Sequence, residues 1–178
     1  MPSLKEKFIT KYETVRENRA VFISRLNVTS PEFQIATWFG SGLIIPAPGT
    51  WGTVGGALFG LMLMFLTSSL VTTLVAIILT AIGYWAIRKI EHVTQEHDSS
   101  FIVIDEVVAI LLVFALMPEF STIMVLSGFI IFRFFDAVKP WPINWLDRQI
   151  SGAAGVIVDD LMAALYTLLI IWGYYGFI

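Results

Sequence analysis

Four acidic groups lie where long apolar segments of the chain begin or end, and they have the clearest potential for chemistry. The groups are Asp98, Asp105 with Glu106, Asp136, and Asp159 with Asp160. Ionisable side chains next to hydrocarbon are costly and by default mark a functional site. Carboxylates without cysteine, in a chain that has only two histidines, suit Mg²⁺, a hard cation that takes oxygen ligands. Because magnesium usually accompanies phosphate in proteins, the pattern predicts a magnesium and phosphate site.

A solvated charge at a helix end is the alternative interpretation of each acidic group taken singly. Carboxylates suit helix amino termini, and Asp159 with Asp160 is predicted to begin the last apolar helix. Asp136 fits this alternative less well, because a carboxylate at the end of a helix opposes the dipole. The two histidines, His92 and His97, are too few for a zinc site and are predicted to be ordinary polar loop residues.

The segment FRFFDAVKPWP, residues 132–142, places two cations beside one of these acids. Arg133, Asp136 and Lys139 are spaced three apart, which puts them on one face of a helix that the Pro-Trp-Pro sequence must end. Arginine can hold phosphate oxygens with two parallel hydrogen bonds, and lysine adds a point charge. The alternative for both cations is a role as interfacial anchors that extend toward water.

The segment GSGLIIPAPGTWGTVGG, residues 40–56, is predicted to be a glycine-rich loop that leads into a helix. Its glycines permit close backbone approach and positive φ. Ser41, Thr50 and Thr53 offer hydroxyl groups ahead of a helix amino terminus, which is a natural anion site. It is not a Walker loop, since no Gly-Lys-Ser/Thr follows. An ordinary turn and cap is the alternative.

The composition predicts that these groups belong to a membrane protein. Of the 178 residues, 57% are hydrophobic and 14% are charged, whereas ordinary soluble domains have roughly 45–50% and 25%. Apolar blocks cover residues 54–87, 101–135 and 161–178, with breaks near Thr67 and at Pro118. Helices are favoured over strands because a bilayer demands that each segment satisfy its own backbone. The fold class is therefore all-α, a compact multi-helix integral membrane bundle, and no nucleic-acid partner is predicted.

The basic residues predict the orientation of the bundle. They lie in the amino-terminal arm, at residues 88–89 and at residues 133–148, and the opposite turns contain none. Lysine and arginine accumulate on the cytoplasmic side of short loops. We therefore expect the catalytic loops at one membrane face, the cytoplasmic one. Several apolar segments are shorter than the roughly 20 residues of a perpendicular span, so re-entrant or shielded segments are expected among them.

Four motifs in this order resemble the phosphatidylglycerophosphatase A family of bacterial Mg²⁺-dependent lipid phosphatases. They are GSGLIIPAPGTWGT, HDSSFIVIDEVV, FRFFDAVKPWPINWLDR and GAAGVIVDDLMAAL, and the likeness covers about residues 32 to 175. The resemblance implies a domain at residues 32–178 that follows an arm at residues 1–31. It also implies hydrolysis of phosphatidylglycerophosphate to phosphatidylglycerol by a multi-pass protein of the bacterial inner membrane, with the active site on the cytoplasmic face.

The resemblance also implies roles for particular residues. Catalytic roles pass to Asp105, Asp136, Asp160, Arg133 and Lys139, substrate binding passes to Ser41, Gly49, Thr50, Gly52 and Thr53, and Mg²⁺ binding passes to Asp105, Glu106, Asp136, Asp159 and Asp160. This chain departs from the family pattern twice: Ala109 stands where glycine is usual, and Thr53 where serine is common. Both changes are small, so we expect activity to survive.

The alternatives left open by the sequence concern chemistry and function. A water activated by one or two Mg²⁺ ions and a covalent aspartyl-phosphate on Asp136 or Asp105 are both compatible with the residues. The substrate could instead be another lipid phosphate. From other classes, the chain could be a small membrane transporter or a non-enzymatic scaffold, although a transporter would place its acids near mid-span. The sequence does not predict an oligomeric state.

The arm is predicted to be an amphipathic basic helix. Leu4, Phe8, Tyr12 and Val15 share one helical face, flanked by lysines and arginines. Such a helix suits an anionic membrane surface. A cap packed on the domain is the alternative.

Overall fold

The computed structural model describes residues 4–96 and 99–177, and within these residues the secondary structure is entirely helical. The all-α prediction is confirmed. His97 and Asp98 lie outside the described residues. The helices are α1 (Leu4–Ser24), α2 (Pro31–Ala36), α3 (Pro48–Leu66), α4 (Ser69–Thr94), α5 (Ile104–Leu116), α6 (Thr122–Val138), α7 (Ile143–Gln149) and α8 (Ala153–Tyr175), and a 3₁₀ turn covers Ser41–Leu43.

Three helices, α3, α4 and α8, are long and apolar enough to cross a membrane. The first two form a helical hairpin that turns at Thr67 and Ser68, where the sequence predicts a break in the apolar block. Ser68 caps α4 by accepting a hydrogen bond from the backbone N–H of Val71. The outward faces carry large exposed apolar side chains, such as Phe65 and Ile77. A bilayer would cover these faces, since contiguous apolar surface of this extent is rare on soluble proteins.

Helix α5 lies at the centre of the bundle, in contact with α3, α4, α6 and α8. It has 13 residues, and ten of them are buried. At 1.5 Å per residue it is about 20 Å long, which is shorter than the roughly 30 Å hydrocarbon core. It is therefore a helix shielded by its neighbours, as the short apolar segments of the sequence allowed.

Glycines bring α3 against α5. A Cβ on Gly52 would lie 2.3 Å from the Cβ of Val103, and one on Gly56 would lie 2.8 Å from the Cα of Val107. Backbones approach this closely only where one of them carries no side chain. The predicted loop is therefore helical from Pro48 onward, and its glycines serve packing. Within the segment only Gly40 has a positive φ.

Helix α1 packs its second half against the domain. Phe22 is buried, with its ring centroid 6.0 Å from that of Phe33 and 5.3 Å from that of Phe101. Val15 also packs on this core, whereas Phe8 remains 60% exposed. The predicted apolar face thus divides between core and surface. The side chain of Leu4 lies outside the described part of the chain.

Two helix boundaries differ from the sequence prediction. Helix α8 begins at Ala153, so Asp159 and Asp160 lie almost two turns inside it instead of at its start. His92 lies in the last turn of α4 and not in a loop. Asp159 and Asp160 are accommodated inside α8 because both line a polar pocket.

Candidate active site

Four helices bring their polar residues together at one end of the bundle. Asp105 and Glu106 occupy the first turn of α5, where carboxylates are favoured by the helix dipole. Asp136 lies near the end of α6, and Asp159 and Asp160 follow in α8. The first turn of α3 completes the ring with Gly49, Thr50 and Thr53. All five predicted metal ligands therefore face the same region.

Three of the carboxylates form a compact triad. One ligand oxygen each from Asp105, Glu106 and Asp160 lies within 4.8 Å of the others. The Oδ1 atom of Asp105, the Oε2 atom of Glu106 and the Oδ2 atom of Asp160 are buried and accept no hydrogen bond from any residue that the structure describes. Buried polar atoms are almost always paired, so one orphaned oxygen on each member of the triad indicates a place for a cation.

The electrostatics of the triad support the same conclusion. Burial, together with the negative charges of Glu106 and Asp160, raises the pKa of Asp105 well above its usual range. Burial also raises the pKa of Glu106 to about 7, although its hydrogen bond with Asp105 and the Arg133 guanidinium oppose the rise. Carboxylates held this close cannot all be ionised without a compensating positive charge. An oxygen-rich, negatively charged set of donors is what Mg²⁺ binds, so these residues fit that ion.

Arg133 connects the triad to α3. Its Nη1 atom lies 2.5 Å from Oδ2 of Asp136 and 3.8 Å from Oε1 of Glu106. The same nitrogen donates to Oγ1 of Thr53 at 3.1 Å, and Nη2 donates to Oγ1 of Thr50 at 3.4 Å. The guanidinium is thus oriented by acceptors from three helices. It also lines the pocket, where it can meet an anion.

Lys139 holds the fifth carboxylate. It caps α6 in the left-handed conformation and donates to Oδ2 of Asp159 in a very short contact, and to Oδ1 of Asp147 at 3.3 Å. Although burial alone would lower it, the pKa of Lys139 is raised because these two carboxylates stabilise the ammonium. Asp136 and Asp159 therefore stand in close ion pairs beside the triad, whereas each of the other three predicted ligands keeps one buried oxygen without a hydrogen bond among the described residues.

Only some residues of the glycine-rich segment reach the pocket. Gly49 and Thr50 line the pocket, and a Cβ on Gly49 would lie 2.3 Å from Oε1 of Glu106. Thr53 is fully buried and accepts a hydrogen bond from Arg133, while Gly52 packs against Val103. Ser41 lies away from the pocket lining, where its hydroxyl donates to the carbonyl of Thr37 at 3.4 Å.

A pocket of about 190 Å³ opens over the triad. Its lining includes Ser99 and Ser100, which sequence reasoning did not select. Their position in the motif HDSSFIVIDEVV, between Asp98 and the acidic pair, was the available signal. Pro48 also borders the pocket, at the start of α3. The pocket is large enough for a phosphate group and a few waters.

Comparisons with known proteins show the family of the chain. The family model described as phosphatidylglycerophosphatase A matches residues 34–175. The chain belongs to this family. It is 33% identical to the phosphatidylglycerophosphatase A of Haemophilus influenzae over 84% of this chain and 92% of the relative. It is 34% identical to the Escherichia coli protein of that name, over 80% and 82% of the two chains.

A third relative has a different name. A protein of Bacteroides thetaiotaomicron, provisionally named a phosphatidylinositol-3-phosphatase, is 35% identical over 77% of this chain and 89% of its own length. No solved structure matches the chain. The position where the phosphatidylglycerophosphatase A family usually has glycine, Ala109, is fully buried in α5, so its methyl group is accommodated by the core.

Proposed function

We propose that this protein hydrolyses the terminal phosphate of phosphatidylglycerophosphate and so yields phosphatidylglycerol and inorganic phosphate. The observation that carries the proposal is the triad of orphaned carboxylate oxygens in a phosphate-sized pocket beside Arg133. Membership of the phosphatidylglycerophosphatase A family supplies the substrate class. The three candidate spans support a lipid substrate.

Asp105, Glu106 and Asp160 are the residues we assign to Mg²⁺ binding. When bound there, the ion would neutralise phosphate charge and lower the pKa of a coordinated water. Glu106 and Asp160 are buried, and Gly49 leaves the space that Oε1 of Glu106 occupies. The chain thus shapes the site before any ligand enters.

We assign binding of the phosphate monoester to Arg133. Its orientation is fixed by Asp136, Thr50 and Thr53, so it does not have to reorganise when charge develops on the phosphate oxygens. Lys139 holds Asp159 and thereby sets the position of the neighbouring Asp160, whose backbone N–H donates to Oδ1 of Asp159 at 3.1 Å. Lys139 is therefore a positioning residue in this proposal.

In the reaction, one water adds to phosphorus, the bond from phosphorus to the lipid oxygen breaks, and the lipid leaves as an alcohol. The water loses one proton to a pocket carboxylate, and that proton passes on to the leaving oxygen. Asp136 borders the pocket and is the carboxylate we assign to the water. An aspartyl-phosphate formed on Asp136 or Asp105 remains the competing route, and trapping with hydroxylamine would distinguish the two.

The position of the pocket explains how a lipid reaches it. The carboxylates lie at the start of α5, near the end of α6 and within the first turns of α8, so all of them are at the polar end of the bundle. The acyl chains can stay in the bilayer while the headgroup enters the polar end. By the distribution of basic residues, we place this end at the cytoplasmic face of a bacterial inner membrane.

A phosphoinositide is the second candidate substrate. It is favoured by the relative from Bacteroides thetaiotaomicron, whose name assigns it phosphatidylinositol-3-phosphatase activity. Both substrates present a phosphate monoester on a polyol headgroup, so the triad and Arg133 would serve either one. The difference must lie in residues that contact the polyol.

The experiment measures phosphate release in detergent micelles from phosphatidylglycerophosphate, phosphatidylinositol 3-phosphate and phosphatidic acid, with Mg²⁺ or with EDTA. We expect metal-dependent release that is fastest with phosphatidylglycerophosphate and is lost in Asp160→Asn and Asp136→Asn. Faster release from phosphatidylinositol 3-phosphate would show that the phosphoinositide is the preferred substrate instead. Release that survives both substitutions would contradict the site, and no release from any lipid would favour a transporter or scaffold.

A further inference from the structure

A second pocket lies on the surface of α4, away from the triad of Asp105, Glu106 and Asp160. Its volume is about 600 Å³, and its lining includes Glu32, Tyr84, Trp85, Arg88, Lys89 and His92. It shares no lining residue with the pocket over the triad. The two cations extend over aromatic rings: Cζ of Arg88 lies 5.9 Å from the Tyr84 ring centroid, and Nζ of Lys89 lies 5.1 Å from that of Trp85. We call this region the basic pocket.

An apolar groove of about 630 Å³ continues from the basic pocket between α4 and α8. Tyr84 lines both cavities. The groove has Ile77 and Ala81 on α4, Leu112 of α5 at its floor, and Ile157 on α8. The residues of α4 that line the groove run from Ile77 to Tyr84, which is a rise of about 10 Å, so the groove covers much of the roughly 15 Å of hydrocarbon in one leaflet. We call this region the acyl groove.

The contacts that α4 makes with α5 and α8 show where both cavities lie along the length of the bundle. A Cβ on Gly83 would lie 3.0 Å from Ile104, the residue before the acidic pair. Slightly more than two turns after Gly83, Glu91 accepts a hydrogen bond from the backbone N–H of Ala153 at the start of α8. The basic pocket is therefore level with the polar end of the bundle, and the acyl groove extends from there toward the middle of a spanning helix.

We propose that the basic pocket and the acyl groove together bind one anionic glycerophospholipid with a hydroxylated headgroup. The phosphodiester meets Arg88 and Lys89, whose charges complement it, and Glu32 accepts a hydrogen bond from a headgroup hydroxyl. One acyl chain lies in the acyl groove. Tyr84 and Trp85 mark the interfacial level, where aromatic residues are enriched and where lipid headgroups lie. This site does not depend on the proposed function, because it shares no residue with the catalytic pocket.

The headgroup half is tested by native mass spectrometry of the detergent-solubilised protein with added phosphatidylglycerol or phosphatidylcholine. We expect one retained phosphatidylglycerol and less phosphatidylcholine. The double variant Arg88→Gln/Lys89→Gln should weaken retention about 30-fold, since each basic residue near an anionic surface contributes about a factor of five. The matched control is Lys11→Gln/Arg16→Gln, which removes two exposed charges from α1 and should leave retention unchanged.

The acyl half is tested with Ala81→Phe, which fills the groove, against Ile78→Phe on another face of α4. We expect the first variant alone to lower retention. Melting curves without lipid verify that each variant is folded. An equal loss of lipid retention in the two double variants would show a general effect of charge. Equal retention in Ala81→Phe and Ile78→Phe would show that no acyl chain occupies the groove. Either result overturns the proposal, as does equal retention of the two lipids.

Discussion

The two ends of the helical bundle differ sharply although the same helices form both. One end holds five carboxylates, Arg133 and Lys139 within a few side chains of each other. At the other end, the turn at Thr67 and Ser68 and the connection at residues 117–121 carry a single charge, Glu119. Ionisable groups beside hydrocarbon are costly and by default mark a functional site. We therefore assign function to the charged end, and the neutral end serves as the comparison.

The largest difference between the ends is expected for the loss of one carboxylate. Glu106→Gln should lower kcat by about 10³-fold or more, because it removes a donor worth several kcal/mol of charge stabilisation. Glu119→Gln makes the same chemical change at the neutral end and should alter kcat less than about twofold. Phosphate release at saturating Mg²⁺ checks both, and similar rates in the two variants would contradict the assignment of the ends.

A glycine at each end of the bundle allows a second comparison of the two ends. Gly49→Ala puts a Cβ where Oε1 of Glu106 now lies, at 2.3 Å, so the carboxylate must move. A displacement of about 1 Å in such a site costs about 10²-fold in rate. The control is Gly173→Ala, since a Cβ there would meet no described atom within 4 Å. Gly173 lies in the last turns of α8, at the neutral end, and its variant should keep full activity.

A smaller effect is expected at Thr53, which acts through Arg133. Thr53→Val keeps the shape but removes the hydroxyl that accepts from Nη1 of Arg133. Loss of such an orienting contact should lower kcat/KM about 10- to 100-fold. Thr53→Ser keeps the hydroxyl and should restore most of the rate. If serine is as poor as valine, the side chain serves packing and not the orientation of Arg133.

The smallest effect is expected at the surface near the charged end. Arg25 and Glu96 form an ion pair at 2.7 Å, with side chains 45% and 47% exposed. An exposed pair contributes less than about 1 kcal/mol, so Arg25→Gln should shift the melting temperature only slightly. Activity should not change. A large loss of activity would mean that the arm takes part in substrate access.

Much of the fold followed from local patterns. Long apolar runs predicted helices, and Pro118 and the Pro-Trp-Pro sequence marked where two of them end, as the structure shows. The prediction of a loop was wrong for residues 48–56. These residues have the glycine-rich composition of a loop, yet they form the first turns of α3. Single-sequence patterns cannot show that a neighbouring backbone, here Val103 to Val107, will approach closely enough to require glycine.

The sequence by itself determined the chemistry available to this protein: hard oxygen ligands without thiols, two nearby cations, and long apolar segments that form helices. Only the tertiary structure decided how those acids divide. Asp136 and Asp159 are neutralised by Arg133 and Lys139, whereas Asp105, Glu106 and Asp160 keep buried oxygens without partners among the described residues. The reason is geometric, since spacing along one chain fixes the face of a helix, but the distance between helices sets which charges meet.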